Sequence, residues 1–321
     1  MVPPVNALWT YEHWNQTKAF FMVNDGATQI AQRQQMQNGA GFIAALDQSG
    51  GSTPKALGLY GVTPDFWTDD AGMFAEMQKM RARIILADDF TSAKVIAAIL
   101  FERTMDETIE GKQVAEYMWS ERGVVPFLKI DKGLEDEANG VQMMKIIPGL
   151  TTTLARAKGL GVYGTKMRSV INEADAAGIA SLVAQQFDVA KEVISAGLMP
   201  IIEPEINIHS ATKSEAEALM KTAIMAQLDA LPEGDDVMLK LTIPEQANIY
   251  TDLSNHARVV RVVALSGGYK TDDACARLSK NDTMIASFSR ALTEGLDVSM
   301  TDAAFNAALG SNIDKIYQAS V

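Results

Sequence analysis

The sequence predicts an α/β fold, a (β/α)8 TIM barrel in a single domain, on three observations. Eight short apolar or β-branched runs punctuate the chain, segments of helical period separate most of them, and no repeat, low-complexity tract or Pro/Gly-rich linker divides it. The runs are GFIAALD from Gly41, KVIAAILF from Lys94, VVPFLKID from Val124 and VYGTKMRSV from Val162, then LMPIIEPEI from Leu198, DVMLKLTI from Asp236, VVRVVALS from Val259 and TMIASFS from Thr283. Eight strands are what a barrel filled by its own side chains requires. A doubly wound open sheet is the competing architecture.

The intervening helices are clearest after Thr212. Thr212 and Glu215 have capping-box spacing, and Met220, Ile224, Leu228 and Leu231 then recur on one helical face, as expected of a helix packed on the outside of a barrel. Residues 1–35 stand outside the alternation. They carry Trp9, Tyr11, Trp14, Phe20 and Phe21 and read as an N-terminal extension packing on the barrel or on a neighbouring subunit, so a homo-oligomer is open. Residues 36–321 read as the catalytic barrel domain.

With 47% hydrophobic residues in 321, the chain can fill one large core. A net charge of -12 without any basic run argues against nucleic acid or an anionic membrane as partner. An anionic substrate must then meet locally placed cations. The lone Cys275 cannot form an internal disulfide, and His13, His209 and His256 lack metal-ligand spacing, so no metal and no cofactor are expected. No apolar run reaches the length of a membrane span, and the start MVPPVNALWTYEHW has neither a basic nor a continuous apolar leader segment. The expected location is the cytoplasm.

Strands of a parallel barrel are buried on both faces and should be near-continuously apolar. Several runs are not: Asp47 closes the first, Lys129 and Asp131 the third, Lys166 and Arg168 lie in the fourth, Glu203 and Glu205 in the fifth, and Lys240 in the sixth. A buried charge costs several kcal/mol unless paired. These charges could be ion pairs that only hold the barrel together, but they gather toward the C-terminal ends of the strands, where barrel active sites are built. Lys240 has a further property, with Val237, Met238 and Leu239 before it and Leu241 and Ile243 after. Desolvation favours the neutral, nucleophilic form of an amine, and a second lysine nearby, Lys166, adds to that effect. Neutral amine and carbonyl give a Schiff base.

Phosphate handling is suggested by Ser266-Gly267-Gly268 after the seventh run and Ser287-Phe288-Ser289-Arg290 ending the eighth, the two loops where barrels frequently hold phosphate. Gln48-Ser49-Gly50-Gly51-Ser52, with Lys129, could hold another. Two phosphate sites around one amine suggest a sugar bisphosphate.

Through LDQSGGSTPKAL, PFLKIDKG, GTKMRS, PIIEPEI, MLKLTIP, ALSGG and SFSRAL, the chain resembles the class I fructose-bisphosphate aldolases, their bacterial branch most closely, from Gln32 to Leu309. The resemblance implies a metal-independent lyase of glycolysis and gluconeogenesis that reversibly cleaves fructose 1,6-bisphosphate to dihydroxyacetone phosphate and glyceraldehyde 3-phosphate. It makes Lys240 the Schiff-base lysine, Glu203 the acid/base of imine formation, and Asp47 the group at the C4 hydroxyl. Lys166 would orient the centre, with Glu205 paired to the lysines and Arg168 lining the site. Ser266, Gly267, Ser287 and Arg290 would hold one phosphate, and Ser49, Ser52 and Lys129 the other. The chain departs from the animal enzymes in Asp47-Gln48-Ser49-Gly50-Gly51-Ser52, where they have Asp-Glu-Ser-Thr-Gly-Ser, at Ala56 after Lys55, and at Ser289 before Arg290. It also ends at Val321 without their long tail and terminal tyrosine, a role not assigned to Tyr317. Alternatives of related or different class are a Schiff-base aldolase for tagatose 1,6-bisphosphate or a transaldolase-type donor, and a non-catalytic sugar-phosphate-binding barrel.

Overall fold

In the computed structural model residues 26–49 and 52–321 are described; Trp9, Tyr11, Trp14, Phe20, Phe21 and the Gly50-Gly51 pair lie outside the described residues. Eight parallel strands follow one another in chain order: β1 (Phe42–Leu46), β2 (Val95–Leu100), β3 (Val125–Lys129), β4 (Gly164–Ile171), β5 (Met199–Ile206), β6 (Val237–Thr242), β7 (Val259–Leu265) and β8 (Met284–Ala286). Each pairs with the next. The Ala45 N–H donates to the Phe288 carbonyl at 3.2 Å, bringing the end of β8 back to β1. An open doubly wound sheet would reverse its strand order at a switch point. This one keeps chain order throughout, and each strand coincides with its expected run, β4 extending one residue beyond it to Ile171.

The longer helices are α1 (26–38), α2 (Ser52–Leu59), α3 (Asp70–Leu86), α4 (Val114–Arg122), α5 (Leu150–Gly159), α6 (Ala176–Ser195), α7 (Lys213–Asp229), α8 (Thr271–Leu278) and α9 (Asp302–Gln318). Where a helix starts, a carboxylate often takes an orphan N–H: Asp69 accepts from Gly72 and Asp175 from Gly178, each at 2.7 Å. The expected face of α7 is buried through Met220, Ile224 and Leu228, and Leu231 is buried just beyond the helix. Its capping box does not form. The Thr212 hydroxyl instead accepts from the Ala174 N–H at 2.9 Å and pairs with Ser210, so a tertiary contact wins over the local one.

Two apolar clusters divide the strands by the two-residue alternation. Phe42, Leu46, Met167, Ile202, Leu239 and Leu241 face outward against the helices, whereas Ile43, Val125, Phe127, Ile201, Met238 and Val263 fill the lower barrel. Gly164 makes that filling possible. A methyl group there would lie 2.6 Å from the Phe127 ring, so β4 must carry no side chain at this level.

The polar stretch before β1 belongs to α1, which covers the N-terminal mouth. Met36 is fully buried in the inner cluster, and Gln35 donates to the Ile96 and Gly123 carbonyls at 2.7 and 2.6 Å. Arg261 returns from β7 to the Met36 and Gly39 carbonyls, both at 2.9 Å. The 35/36 division expected from the sequence thus falls inside this helix.

Candidate active site

Following the inward-facing rows of β1 and β3 to β6 upward, apolar or small residues give way to charge at the C-terminal end. Ile43 is followed on the same face by Asp47, Phe127 by Lys129, Ile201 by Glu203 and Glu205, and Met238 by Lys240; β4, with Gly164 below, adds Lys166 and Arg168. Alternation carries this pattern. Once one inward residue is fixed, every second residue above it must face the same interior.

Four of these groups form a chain of alternating charge. Asp47 lies 2.6 Å from Lys166, Lys166 is 2.9 Å from Glu203, and the other oxygen of Glu203 is 3.0 Å from the Lys240 amine. All are nearly buried, with side-chain exposures of 11% for Asp47, 4% for Lys166 and Glu203, and 5% for Lys240. Burial alone would raise the Asp47 carboxyl, but Lys166 and Lys240 outweigh it and hold it well below the usual carboxylate range. Glu203 is lowered against its own burial and against Asp47 by the same two lysines. Burial works against the Lys166 ammonium, yet Asp47, Glu203 and Asp131 raise it above the ordinary lysine range. Lys166 therefore stays protonated, without a lone pair to offer. Among the described residues Lys240 pairs with a single carboxylate.

Lys129 donates to the Asp131 carboxylate and carbonyl at 2.7 and 2.9 Å. Glu205 pairs with Arg168 rather than with the lysines: two residues beyond Glu203 along β5, it sits above the lysine level and meets the cation of β4 instead. Ser52 is folded back on Ser49, its hydroxyl accepting from the Ser49 N–H at 2.9 Å and donating to the Ser49 carbonyl at 2.8 Å.

Above the charged layer opens a cavity of about 680 Å³. Asp47, Ser49, Ser52, Lys129, Lys166, Arg168 and Arg290 line it. Lys240 and Glu203 are not part of that lining but join it through the ion-pair chain to Lys166 and Asp47, and Ser266, Gly267 and Ser287 do not line it either. The glycine loop after β7 nevertheless approaches Arg290. Gly267 has a φ of +59°, a methyl on it would strike Ile208 at 2.6 Å, and one on Gly268 would lie 3.5 Å from the Arg290 guanidinium. The Ser287 hydroxyl is buried without a hydrogen-bond partner among the described residues.

Three lining or supporting residues, Lys55, Asp131 and Arg81, were given no role from sequence. Lys55 lines the cavity and, like Arg290, has no carboxylate partner among the described residues. Asp131 fixes Lys129. Arg81, only 1% exposed, donates to the Gln48 carbonyl at 2.6 Å and to the Thr104 hydroxyl at 2.8 Å; burial lowers its guanidinium to about 10, with Asp47 opposing. Its signal was legible, since position 81 falls on the same helical face as Met77 and Ile84. Gln48 in turn donates to the Ser289 hydroxyl at 2.7 Å. Gln48, Ala56 and Ser289 line one cavity, and Gln48 and Ser289 bond each other across the β1–β8 seam.

Among the described residues no group of three or more His, Cys, Asp or Glu side chains is placed to hold a metal ion, and no helix is long and apolar enough to cross a membrane. In fold the chain is similar to fructose-bisphosphate aldolase from Plasmodium falciparum, with a TM-score of 0.70 at 18% identity over 92% of this chain and 94% of that one. It is 53% identical over 290 residues to fructose-bisphosphate aldolase class 1 of Synechocystis sp., covering 90% of this chain and 97% of the relative. It is 52% identical to the protein of that name from Porphyromonas gingivalis, covering 90% and 98%. Residues 28–258 match the family model described as glycolytic fructose-bisphosphate aldolase class-I. By that family match over most of its length and these identities, the chain belongs to the class I fructose-bisphosphate aldolases.

Proposed function

We propose that the protein reversibly cleaves fructose 1,6-bisphosphate through a Schiff base on Lys240, without a metal, as a cytoplasmic enzyme of glycolysis and gluconeogenesis. The observation that carries this reading is the unequal setting of the two strand lysines. Lys166 is clamped between Asp47 and Glu203, while Lys240, among the described residues, forms an ion pair with Glu203 alone.

The Lys240 amine adds to the C2 ketone, and Glu203, 3.0 Å away, moves the protons that turn the carbinolamine into iminium and water. Asp47 accepts the C4 hydroxyl proton as the O–H electrons form the aldehyde and the C3–C4 pair moves into the iminium, leaving an enamine. Protonation at C3 and hydrolysis release dihydroxyacetone phosphate and restore the amine. Lys166 keeps both carboxylates charged and fixed. Arg290, with Ser266, Gly267 and Ser287, serves one phosphate; Ser49, Ser52, Lys129 and Lys55 serve the other. Arg168 and Glu205 border the same mouth as a pair. Residues 1–35 are read as an extension of the barrel domain 36–321.

Borohydride added during turnover, in EDTA, tests the mechanism. A reduced sugar-phosphate adduct should map to Lys240 in the MLKLTIP segment. An adduct on Lys166, or cleavage that stops with chelator and returns with zinc, would overturn it.

A further inference from the structure

The ladder between β5 and β6 is shorter than those beside it. It pairs Ile201 with Met238 and Ile202 with Leu239 and stops there, immediately below Glu203 and Lys240. On one side β4 and β5 stay paired up to Ile171 and Ile206, and on the other β6 and β7 stay paired up to Thr242 and Leu265. The sequence explains the opening. N–H groups alternate in direction along a strand, so after Ile202 the next residue able to face β6 is Pro204, which has no N–H. The Glu203 N–H points the other way and donates to the buried Gln186 side chain at 2.8 Å.

The gap is closed at its upper end by one side chain. The Thr242 hydroxyl accepts from the Ile206 N–H at 2.8 Å and donates to the Ile206 carbonyl at 3.0 Å, with Thr242 fully buried. One hydroxyl thus replaces the missing rungs and satisfies both polar groups of Ile206. Two residues below it on the same inward face stands Lys240, and three residues below Ile206 stands Glu203. The distance between these two depends on how far the strands part.

We propose that Thr242 is a positioning residue: its hydroxyl staples the parted strands and so sets the Glu203–Lys240 separation at which protons pass during imine formation. This rests on the reading of Lys240 as the imine-forming lysine. Glu203 is faced by Lys166, Lys240 and Asp47, so drawing it away from Lys240 removes one of the two cations that keep it ionised.

Thr242→Val keeps the side-chain shape and removes the hydroxyl; Thr242→Ser keeps the hydroxyl and removes the methyl. In folded protein the valine variant should lose on the order of 10- to 100-fold in kcat, the scale of small misplacements of reacting groups, with KM little changed. Its acid limb in kcat/KM should move to higher pH and its borohydride trapping should slow, while the serine variant stays near wild type. Wild-type kcat in the valine variant, or equal losses in valine and serine, would overturn the proposal. If valine fails to fold, Thr242→Cys takes its place, since a thiol keeps the volume but is a feeble donor and acceptor; kcat and acid limb unchanged there would overturn it equally. Trapping of wild-type protein separates the two readings. Label away from Lys240 defeats the site assignment, whereas label on Lys240 with unaltered variants defeats only the role of Thr242.

Discussion

The lower and upper halves of the barrel interior are made by the same strands and filled in opposite ways. Below, Ile43, Phe127, Ile201, Met238 and Val263 interdigitate under α1; two residues further along β3, β5 and β6 stand Lys129, Glu203 and Lys240. Burying a Phe or Met side chain contributes about 1.5–3 kcal/mol each. The charged layer contributes little net stability by that measure, because desolvation of buried ions offsets much of their attraction. What it gains is groups held in fixed protonation states and at fixed distances. The lower half supplies rigidity and the upper half uses it.

The difference breaks most sharply at Lys240. Lys240→Met retains volume and packing but leaves no amine to condense with a ketone. Cleavage should fall by at least about 10⁴-fold, as when one member of a catalytic unit is lost, while the thermal midpoint falls only moderately, because Glu203 loses one buried cation but keeps Lys166. A variant retaining a tenth of the wild-type kcat would show that the upper layer does not work through this amine.

The reverse outcome is expected one layer down. Phe127 is fully buried, edge-on to Tyr163 at 5.5 Å between centroids. Phe127→Ala should cost about 3–5 kcal/mol in unfolding free energy, the range for emptying a buried aromatic site. Its kcat in folded protein should stay close to wild type. A large drop in kcat at unchanged stability would mean that the two halves are not separable.

This division decided what could be read from the sequence. Eight runs, their helices and the charges in β3 to β6 were legible because alternation and burial act locally. A charged residue in a buried strand is visible without knowing its partner. Partners were less legible: Glu205 reaches Arg168 rather than the lysines, and Thr212 is spent on Ala174 instead of its own helix, because both depend on how elements meet in space. Arg81 and the Gln48–Ser289 bond across the seam join residues far apart in the chain, and no spacing rule relates them. The parting of β5 from β6 was written in Pro204, but which group bridges it was not.

At the rim, effects should be smaller and confined to binding. Arg290 is exposed and has no carboxylate partner among the described residues, so losing it leaves no buried charge behind. Arg290→Ala should raise KM for the bisphosphate by roughly 10- to 100-fold, the worth of a charge-assisted bidentate contact of about 1.5–3 kcal/mol, with kcat and stability nearly unchanged. Unchanged KM would move that phosphate elsewhere.

Acid should sharpen the contrast most finely, since only the upper layer titrates. Asp47 and Glu203 are both held below their ordinary values of 3.8 and 4.5. A carboxyl whose folded pKa is depressed contributes stability that is fully present above its unfolded pKa and is lost as pH falls toward the folded one. From about pH 4.5 downward the unfolded chain binds a proton at each site that the folded chain refuses. Each such carboxyl then removes about 1.4 kcal/mol per pH unit. Lys166 does not oppose this trend: its raised pKa contributes stability that is kept throughout the acid range and lost only in strong alkali. Unfolding free energies by denaturant at pH 5, 4 and 3 should therefore fall less steeply for Asp47→Asn than for wild type, by up to that slope, while Phe127→Ala stays parallel to wild type at lower stability. Parallel curves for Asp47→Asn and wild type would show that Asp47 titrates alike in the folded and unfolded chains, and that its pairing with Lys166 does not hold it ionised.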